Sequence, residues 1–297
     1  MKVGQARKRP EHSMDVPPNL PFDGNDTSLR SPRILFGASE PRSRRNRLAG
    51  LIRRAVSIMT PILVLVLWEV GHNLTLIDVR FFPAPSAIVS ELFQLFKSGE
   101  MWVHVGATQS RILWGFVWGV VPGIIIGLFM GISPLVRAAL QPLITATFPV
   151  PKIVILPLFL LIFGLGEESK IAVIAVSVFY MVLINTVAGV DYIPQIYLDV
   201  GRNFQANYWL MFRDIALPGA LPSIFTGLKT GMGVALLVIV SAEFLGAKSG
   251  LGYFVWSAWS VFDVVQMYAG LVVTSALGIL TTLVLNFLEK WLIPWKS

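Results

Sequence analysis

Residues 112–131 read ILWGFVWGVVPGIIIGLFMG and contain no charged side chain. A run of about 20 apolar helical residues can cross the hydrocarbon core of a bilayer, so this stretch predicts a transmembrane helix. Its glycines recur at every fourth position, at Gly115, Gly119, Gly123, Gly127 and Gly131. A stripe without side chains lets a second helix approach to backbone contact. We interpret the stripe as close packing within one subunit, with a subunit interface or a moving contact as the alternative.

One further apolar stretch precedes this helix and four follow it, at residues 55–71, 143–163, 171–190, 231–246 and 267–291. Over the whole chain 55% of the residues are hydrophobic and only 14% are charged, which is far less charge than a soluble domain carries. The sequence therefore predicts an all-α integral membrane protein with six transmembrane helices. Lipid is the medium around most of its surface.

The basic residues are concentrated near the N-terminus. Half of the 24 lysines and arginines lie before residue 55. Cytoplasmic flanks of membrane helices are enriched in Lys and Arg, so we expect the N-terminus in the cytoplasm, and six crossings return the C-terminus to the same side. Residues 1–50 are predicted to be a disordered basic tail, and residues 51–297 the membrane domain. A basic stripe with interleaved aromatic residues does not occur elsewhere, which argues against nucleic-acid binding.

The third apolar stretch is interrupted by Pro149, Pro151 and Pro157. Each proline lacks a backbone donor and disturbs the preceding helical turn. Broken helices inside a membrane are tolerated where the freed carbonyl groups face protein or a water-filled cavity. We therefore expect this stretch to lie along a pathway for a solute. Lys152 is either a charge within that pathway or a side chain that reaches the cytoplasmic interface.

A polar excursion separates the first two predicted membrane helices. Ser86 is expected to cap a short amphipathic helix over residues 87–97 that lies on the membrane surface. His72 and His104 are interpreted as interfacial residues. The chain has no cysteine, and the predicted spans contain no pair of His, Asp or Glu at helical spacing. The sequence thus predicts neither a metal site nor a membrane-embedded enzyme, and no cofactor.

A polar segment between the fourth and fifth stretches, residues 191–230, is expected in the cytoplasm. Its central part, residues 197–218, reads YLDVGRNFQANYWLMFRDIALP. It is too polar to span the membrane, yet it carries large apolar side chains on short predicted helices, among them Phe204, Trp209 and Phe212. Exposed aromatic groups of this kind need a partner surface.

This segment resembles the EAA loop of ABC importer permeases, in which an acidic residue, small residues, a glycine and a terminal Leu-Pro form a coupling helix. Asp199 stands at the acidic position, Gly201 at a small position and Ala206 after the glycine position, and Leu217-Pro218 ends the motif. The resemblance implies that the segment docks into a separate ATPase subunit. The residues that it assigns to this contact are Asp199, Gly201, Phe204, Gln205, Ala206, Trp209, Phe212, Leu217 and Pro218.

The likeness extends over roughly residues 60–290 and includes Ala242-Glu243 and Ser249-Gly250-Leu251-Gly252. It is greatest to the nitrate, sulfonate, taurine and bicarbonate branch of these permeases. It implies the type I ABC importer permease fold in the bacterial inner membrane, a second permease copy in a homodimer, and an external substrate-binding protein. The residues that we expect along the translocation pathway are Pro149, Pro151, Lys152, Pro157 and Glu243.

The implied mechanism is alternating access driven by the ATPase. The implied cargo is a small organic sulfonate or taurine-like anion, with nitrate or bicarbonate next and a pyrimidine vitamin precursor third. Two positions depart from the family pattern. Asp199 replaces the usual glutamate, and Gln205 replaces the glycine between the two short helices. Glycine adopts a left-handed backbone at low cost and glutamine does not, so the turn is either built differently or suited to one particular ATPase.

An ion-coupled secondary transporter is the alternative function, because such proteins use intramembrane carboxylates as relays. Glu69 and Glu243 are the acidic candidates in or near the predicted spans, and both lie close to a helix end. ATP hydrolysis by this chain is excluded. Residues 246–249, GAKS, lack the glycine directly before the lysine and the glycine five residues earlier that a phosphate-binding loop needs.

Overall fold

The computed structural model describes residues 44–294, which form eleven α-helices, a 3₁₀ turn and a π-helical turn. In chain order they are α1 (Arg44–Asn73), α2 (Pro85–Ser98), α3 (Glu100–Ile132), α4 (Pro134–Thr147), the 3₁₀ turn (Lys152–Ile155), α5 (Leu156–Phe163), α6 (Glu167–Asp191), α7 (Gln195–Asn203), α8 (Tyr208–Leu210), the π turn (Met211–Ala216), α9 (Leu217–Phe244), α10 (Leu251–Ser260) and α11 (Val264–Leu292). The chain divides at residue 60 into two units, and every contact given below lies within residues 61–297. The predicted tail lies outside the described residues as far as position 43, and from Arg44 onward it is helical.

Five segments of the described chain are long and apolar enough to cross a membrane: α1 from Ala55, α3, α6, the π turn with α9, and α11. Helices α4 and α5 pass the same test together, but the chain bends by 88° between them. Counting this broken pair as one crossing gives six, in agreement with the six predicted spans. The break falls at Pro149 and Pro151.

The fifth spanning helix begins earlier than predicted. Helix α9 starts at Leu217, whereas the predicted span starts at Gly231. The polar side chains that suggested a loop are satisfied within the helix bundle; Lys229, for example, pairs with Glu289 on α11. Of the predicted polar segment, only residues 192–216 therefore lie outside a long helix, directly after Asp191 at the end of α6; together with Asp191 they are called the 191–216 segment.

Helix α6 defines two ends of the bundle, which we call the Glu167 end and the Asp191 end. Its 25 residues, at 1.5 Å each, make it about 37 Å long. Glu167 at the start of α6 and Glu243 near the end of α9 both accept hydrogen bonds from Arg111 of α3. Helix α9 therefore starts next to the 191–216 segment and finishes at the Glu167 end, on the opposite side of the bundle.

The glycine stripe of α3 faces α6. A side-chain carbon placed at Gly115 would lie 2.6 Å from Cβ of Ile174, and one at Gly119 would lie 2.5 Å from the carbonyl oxygen of Ala175. The three remaining glycines would approach α6 to 3.1, 2.7 and 2.5 Å, at Gly123, Gly127 and Gly131. Since ordinary side chains cannot fit at these distances, α3 and α6 are in backbone contact along the whole stripe.

The α1–α2 region differs from the prediction at one residue. Ser86 does not cap α2 but lies in its first turn, and the residue before the helix is Ala84. The backbone N–H and the hydroxyl of Ser86 both donate to the Glu69 carboxylate, at 3.0 and 2.7 Å. A carboxylate of α1 thus satisfies the N-terminus of α2, where a negative charge is favourable.

His104 is also placed differently from the prediction. It is buried rather than interfacial, with 8% of its surface exposed. Its Nδ1 accepts a hydrogen bond from the Gly250 N–H at 3.2 Å. Gly250 precedes α10, a helix of the Glu167 end that the hydrophobic pattern did not predict.

Candidate functional site: an exposed segment and a buried charge cluster

The first short helix of the 191–216 segment ends in a tight turn. The Ala206 N–H donates to the carbonyl oxygen of Gly201 at 2.9 Å, which is the closing bond of a Schellman motif. Gln205 occupies the position of this motif where glycine is usual, and it adopts a φ of +52°. A side chain makes this left-handed backbone unfavourable. The turn of the family pattern is therefore retained with glutamine in the place of glycine.

Asn207 begins the second short helix. Its Oδ1 accepts from the Leu210 N–H at 2.8 Å, the interaction of a helix N-cap. The chain then passes through the π turn before it enters α9. Such turns are rare and occur frequently at functional sites. The backbone of this segment is thus irregular at two points, the left-handed residue and the π turn.

The aromatic side chains of the segment divide into two groups. Phe204 and Trp209 are 83% and 65% exposed. Phe212 stacks on Trp209 with ring centroids 5.7 Å apart, and it also packs on Phe129 of α3 at 5.6 Å. Phe212 therefore attaches the segment to the bundle, while Phe204 and Trp209 leave most of their apolar surface exposed.

Small and cyclic residues set the position of the segment. A side-chain carbon at Gly201 would lie 2.8 Å from Cδ1 of Ile215, so α7 lies directly on the π turn. Leu217 and Pro218 form the first turn of α9, which continues directly from the π turn. Asp199 lies on α7 with an exposed side chain.

A cavity of about 470 Å³ opens beside these residues; its lining includes Tyr192, Tyr197, Asp214, Ile215 and Pro218. Tyr192 and Tyr197 are 83% and 60% exposed. The Asp191 end thus offers a concave surface that is bordered by exposed aromatic side chains.

Lys152 of the broken third span is hydrogen-bonded to the backbone next to the break. The Nζ of Lys152 donates to the carbonyl groups of Thr147, Phe148 and Val150 at 2.8 to 2.9 Å, and it lies 4.3 Å from the ring centroid of Tyr180. An ammonium group has three N–H donors, and all three satisfy carbonyl groups at the end of α4. Lys152 therefore supplies hydrogen-bond donors to carbonyl groups beside the break that the prolines create. Pro157 lies in the first turn of α5 and not at the break.

A buried group of charged and polar side chains lies at the Glu167 end. Arg111 of α3 is 2% exposed, and all five N–H donors of its guanidinium are used. Nη1 donates to Glu243 and to the carbonyl oxygen of Ser249, both at 2.7 Å. Nε and Nη2 donate to Glu167, and Nη2 also to Ser249 Oγ at 3.3 Å. We call Thr108 and these four residues the Arg111 cluster.

The Arg111 cluster also holds the start of α10. The first turn of a helix has N–H groups without a helical partner. Here side chains of α3 and α9 accept from three successive N–H groups: Gly250 donates to His104 at 3.2 Å, Leu251 to Thr108 Oγ1 at 2.7 Å and Gly252 to Glu243 Oε2 at 2.7 Å. The N-terminus of α10 is therefore bonded to two other helices.

The structure places Glu243 inside this cluster, and the preceding residue, Ala242, packs with Leu156 of α5. The Glu243 carboxylate has no exposed surface and also accepts from Thr108. Sequence reasoning missed Arg111 because the predicted second span was taken to begin after it. The signal was nevertheless present, since Arg111 precedes Gly115 by four residues and continues the glycine stripe toward α6.

Residues 123–297 match the protein family described as "Binding-protein-dependent transport system inner membrane component". The chain is 35% identical over 247 residues to the taurine transport system permease protein TauC of Escherichia coli strain K12, an alignment that covers 82% of this chain and 90% of that protein. It is 38% identical over 240 residues to the riboflavin transport system permease protein RibX of Chloroflexus aurantiacus, over 80% of this chain and 89% of that protein.

The fold is similar to that of a chain in a solved structure of the MetNI methionine ABC transporter in an inward-facing conformation. The TM-score is 0.58 at 18% sequence identity, and the match covers 66% of this chain and 97% of that chain. At this identity the similarity concerns the fold alone.

Proposed function

The chain belongs to the family of binding-protein-dependent transport system inner membrane components and is a multi-pass permease subunit of an ABC importer, and from this premise we propose that it carries a small organic sulfonate or a similar small anion. Transport is proposed to be driven by a separate ATPase, and family membership favours this function over an ion-coupled secondary transporter. The observation that carries the proposal is the pair of exposed aromatic side chains, Phe204 and Trp209, on the irregular 191–216 segment.

The ATPase contact is proposed to form on the 191–216 segment. Aromatic side chains that become buried at an interface contribute much of its binding free energy. Phe204 and Trp209 are available for such burial, whereas Phe212 is already packed on α3. Asp199, Gln205 and Ala206 shape the surface around them, and Gly201, Leu217 and Pro218 fix how the segment lies on the bundle.

The cargo proposal rests on the relatives and on the broken third span. One relative is named for taurine transport, and a second is named for riboflavin transport. A small sulfonate remains our first proposal, nitrate or bicarbonate the second, and a pyrimidine vitamin precursor the third. Because Lys152 already donates to three carbonyl groups, we propose that backbone dipoles near Pro149, Pro151 and Pro157, rather than a lysine charge, attract the anion.

The orientation is also a proposal. The tail, both termini and the 191–216 segment lie in the cytoplasm, as the basic N-terminal flank predicts. The Glu167 end then faces outward, where a substrate-binding protein delivers the solute. A second copy of this chain completes the pathway in a homodimer.

Co-purification from native membranes tests the ATPase contact. We expect the parent chain to retain an ABC ATPase, and Phe204→Ala and Trp209→Ala to lose at least tenfold of it. The matched control is Trp291→Ala on α11, an aromatic residue 70% exposed and outside the segment, which should retain the ATPase. An ATPase that stays bound to both segment variants would move the contact elsewhere on this chain. If the parent retains no ATPase, the ion-coupled secondary transporter becomes the better function.

Uptake into proteoliposomes tests the cargo. The purified importer with its ATPase and binding protein should accumulate labelled taurine in an ATP-dependent manner. Labelled nitrate and labelled riboflavin serve as comparison substrates. Accumulation of riboflavin alone would overturn the anion proposal and leave the importer assignment intact.

A further inference from the structure

Helix α10 is attached to the bundle in two chemically different ways. Its N-terminal N–H groups are bonded to side chains of α3 and α9. Its apolar face packs on α11, where Phe254 and Val255 lie against Gly270. Buried hydrogen bonds fix both distance and angle. The bonds at its start therefore set where α10 lies relative to α3 and α9.

The polar attachment depends on the run Ser249-Gly250-Leu251-Gly252. A side chain at Gly250 would overlap the Glu243 carboxylate and the Arg111 guanidinium, and one at Gly252 would overlap the carbonyl oxygen of Val240. Glycine at both positions thus lets the start of α10 approach the end of α9 to backbone contact. This close approach explains the two glycines of the run, Gly250 and Gly252, which have no role in the proposed ATPase contact or in the proposed pathway.

The Arg111–Glu243 pair is the buried part of the Arg111 cluster. Arg111 and Glu243 have side-chain exposures of 2% and 0%, while Glu167 is 57% exposed. Separating Arg111 from Glu243 would leave a buried charge without its partner, which is strongly unfavourable. We therefore expect this pair to stay closed when the helices around it are displaced.

The cluster is also connected to the opposite end of the bundle. Arg111 lies one step beyond the glycine stripe along which α3 and α6 are in backbone contact. At the Asp191 end, Phe212 of the 191–216 segment packs on Phe129 of α3, and the π turn runs directly into α9. A displacement of the segment is thus passed to α3 and α9, the two helices that hold α10.

We propose that Arg111 is a positioning residue that makes α10 move with α3 and α9 when the ATPase binds and hydrolyses ATP. This proposal rests on the proposed function, and it explains how a movement at the proposed ATPase contact reaches the opposite end of the permease.

The absence of cysteine allows spin labels to be placed without background substitutions. Three exposed serines suit the purpose: Ser110 on α3, Ser260 on α10 and Ser275 on α11. The pairs Ser110→Cys/Ser260→Cys and Ser260→Cys/Ser275→Cys are labelled in the complete importer, with the labelled chain diluted into unlabelled chain. Distances are measured without nucleotide and after trapping with ATP and vanadate. The same pairs are measured in Arg111→Met.

In the parent we expect the 110–260 distance to stay narrow and unchanged on trapping, and the 260–275 pair shows whether α11 moves together with α10. In Arg111→Met the 110–260 distribution should at least double in width. A 110–260 distance that shifts in the parent, or stays narrow in Arg111→Met, would overturn the inference. Taurine uptake per ATP hydrolysed should fall at least fivefold in the variant, and ATP hydrolysis should continue.

A milder variant keeps the test valid if Arg111→Met does not assemble. Thr108→Val removes one acceptor from the start of α10 and leaves the Arg111–Glu243 pair. Its matched control is Thr281→Val, a buried threonine whose hydroxyl bonds only within α11. We expect broadening of the 110–260 distance in the first and none in the second; equal distributions would overturn the inference. Failure of the parent to bind an ATPase would instead contradict the proposed function.

Discussion

The two ends of α6 differ in how deeply their charges are buried. At the Glu167 end Arg111 pairs with two carboxylates; the Arg111 and Glu243 side chains are 2% and 0% exposed, while Glu167 is 57% exposed. At the Asp191 end both members of the ion pair between Arg137 and Asp191 reach solvent, with 35% and 50% exposed. Aromatic side chains are exposed there, and the backbone contains a π turn and a left-handed glutamine. A buried ion pair thus holds the first end together, whereas the ion pair of the second end faces solvent.

This difference indicates how stability and function are distributed. Buried ionic contacts that cannot open singly keep the helices in register at the Glu167 end. Exposed aromatic groups stabilise the chain little, but they are available for binding free energy at the Asp191 end. Substitutions at the first end should therefore change stability, and substitutions at the second should change association.

The same substitution at both ends gives the largest contrast. Arg111→Met should lower the stability by about 3–5 kcal/mol, because it leaves Glu243 buried without its cation. Arg137→Met should cost about 1 kcal/mol or less, since the exposed pair is screened by solvent. Denaturation midpoints of the detergent-solubilised chain measure both. Equal shifts for the two variants would remove the distinction between the ends.

A substitution in the glycine stripe of α3 should give an intermediate loss of stability. Gly119→Ala places a carbon 2.5 Å from a carbonyl oxygen of α6 and should cost about 1–3 kcal/mol through overpacking. Gly106→Ala on the same helix meets no atom within 4 Å and should stabilise by about 0.5–1 kcal/mol through helix propensity. Thermal denaturation in detergent compares the two. A destabilised Gly106→Ala would show that backbone closeness is not the cause.

A smaller effect is expected at the left-handed turn. Gln205→Gly should stabilise the segment by about 1 kcal/mol at most, since the relief of the left-handed side chain is partly offset by the greater freedom of unfolded glycine. Asn tolerates this backbone better than Gln, so Gln205→Asn should fall between the two. Hydrogen exchange of the Ala206 N–H reports the local change. Faster exchange in Gln205→Gly would contradict the assigned Schellman motif.

The exposed ion pair between Asp78 and Arg80, in the loop that joins α1 and α2, should give the smallest change in stability. Arg80 donates two side-chain hydrogen bonds to Asp78, and this lowers the pKa of Asp78 below its ordinary value of 3.8. Because the folded pKa is depressed, the contribution is present above that value and is lost as the pH falls through the folded pKa. Asp78→Asn should therefore be slightly less stable than the parent at pH 7 and approach it in acid. A difference that grows in acid would contradict this.

The spans and the broken helix follow from hydrophobic length and proline positions, which are local properties of the sequence. The Arg111 cluster does not, because its bonds join Arg111 to Glu167 and Thr108 to Glu243, which are more than 50 positions apart and which only the fold brings together. Helix α10 is short and apolar, so its pattern resembles a loop between spans. At Gln205 the local preference gave the wrong indication. Glutamine disfavours a left-handed backbone, yet the structure has a left-handed turn at this residue.

The backbone contact along the glycine stripe also makes the α3–α6 pair stiff. Two helices that touch at every turn bend less readily than one, so α3 and α6 together behave as a stiff rod about 37 Å long. A tilt of about 10° around the middle of such a rod displaces each tip by roughly 3 Å in opposite directions. A small displacement of the tip at the Asp191 end therefore becomes a displacement of comparable size at the Glu167 end, without any change in the internal packing of the rod.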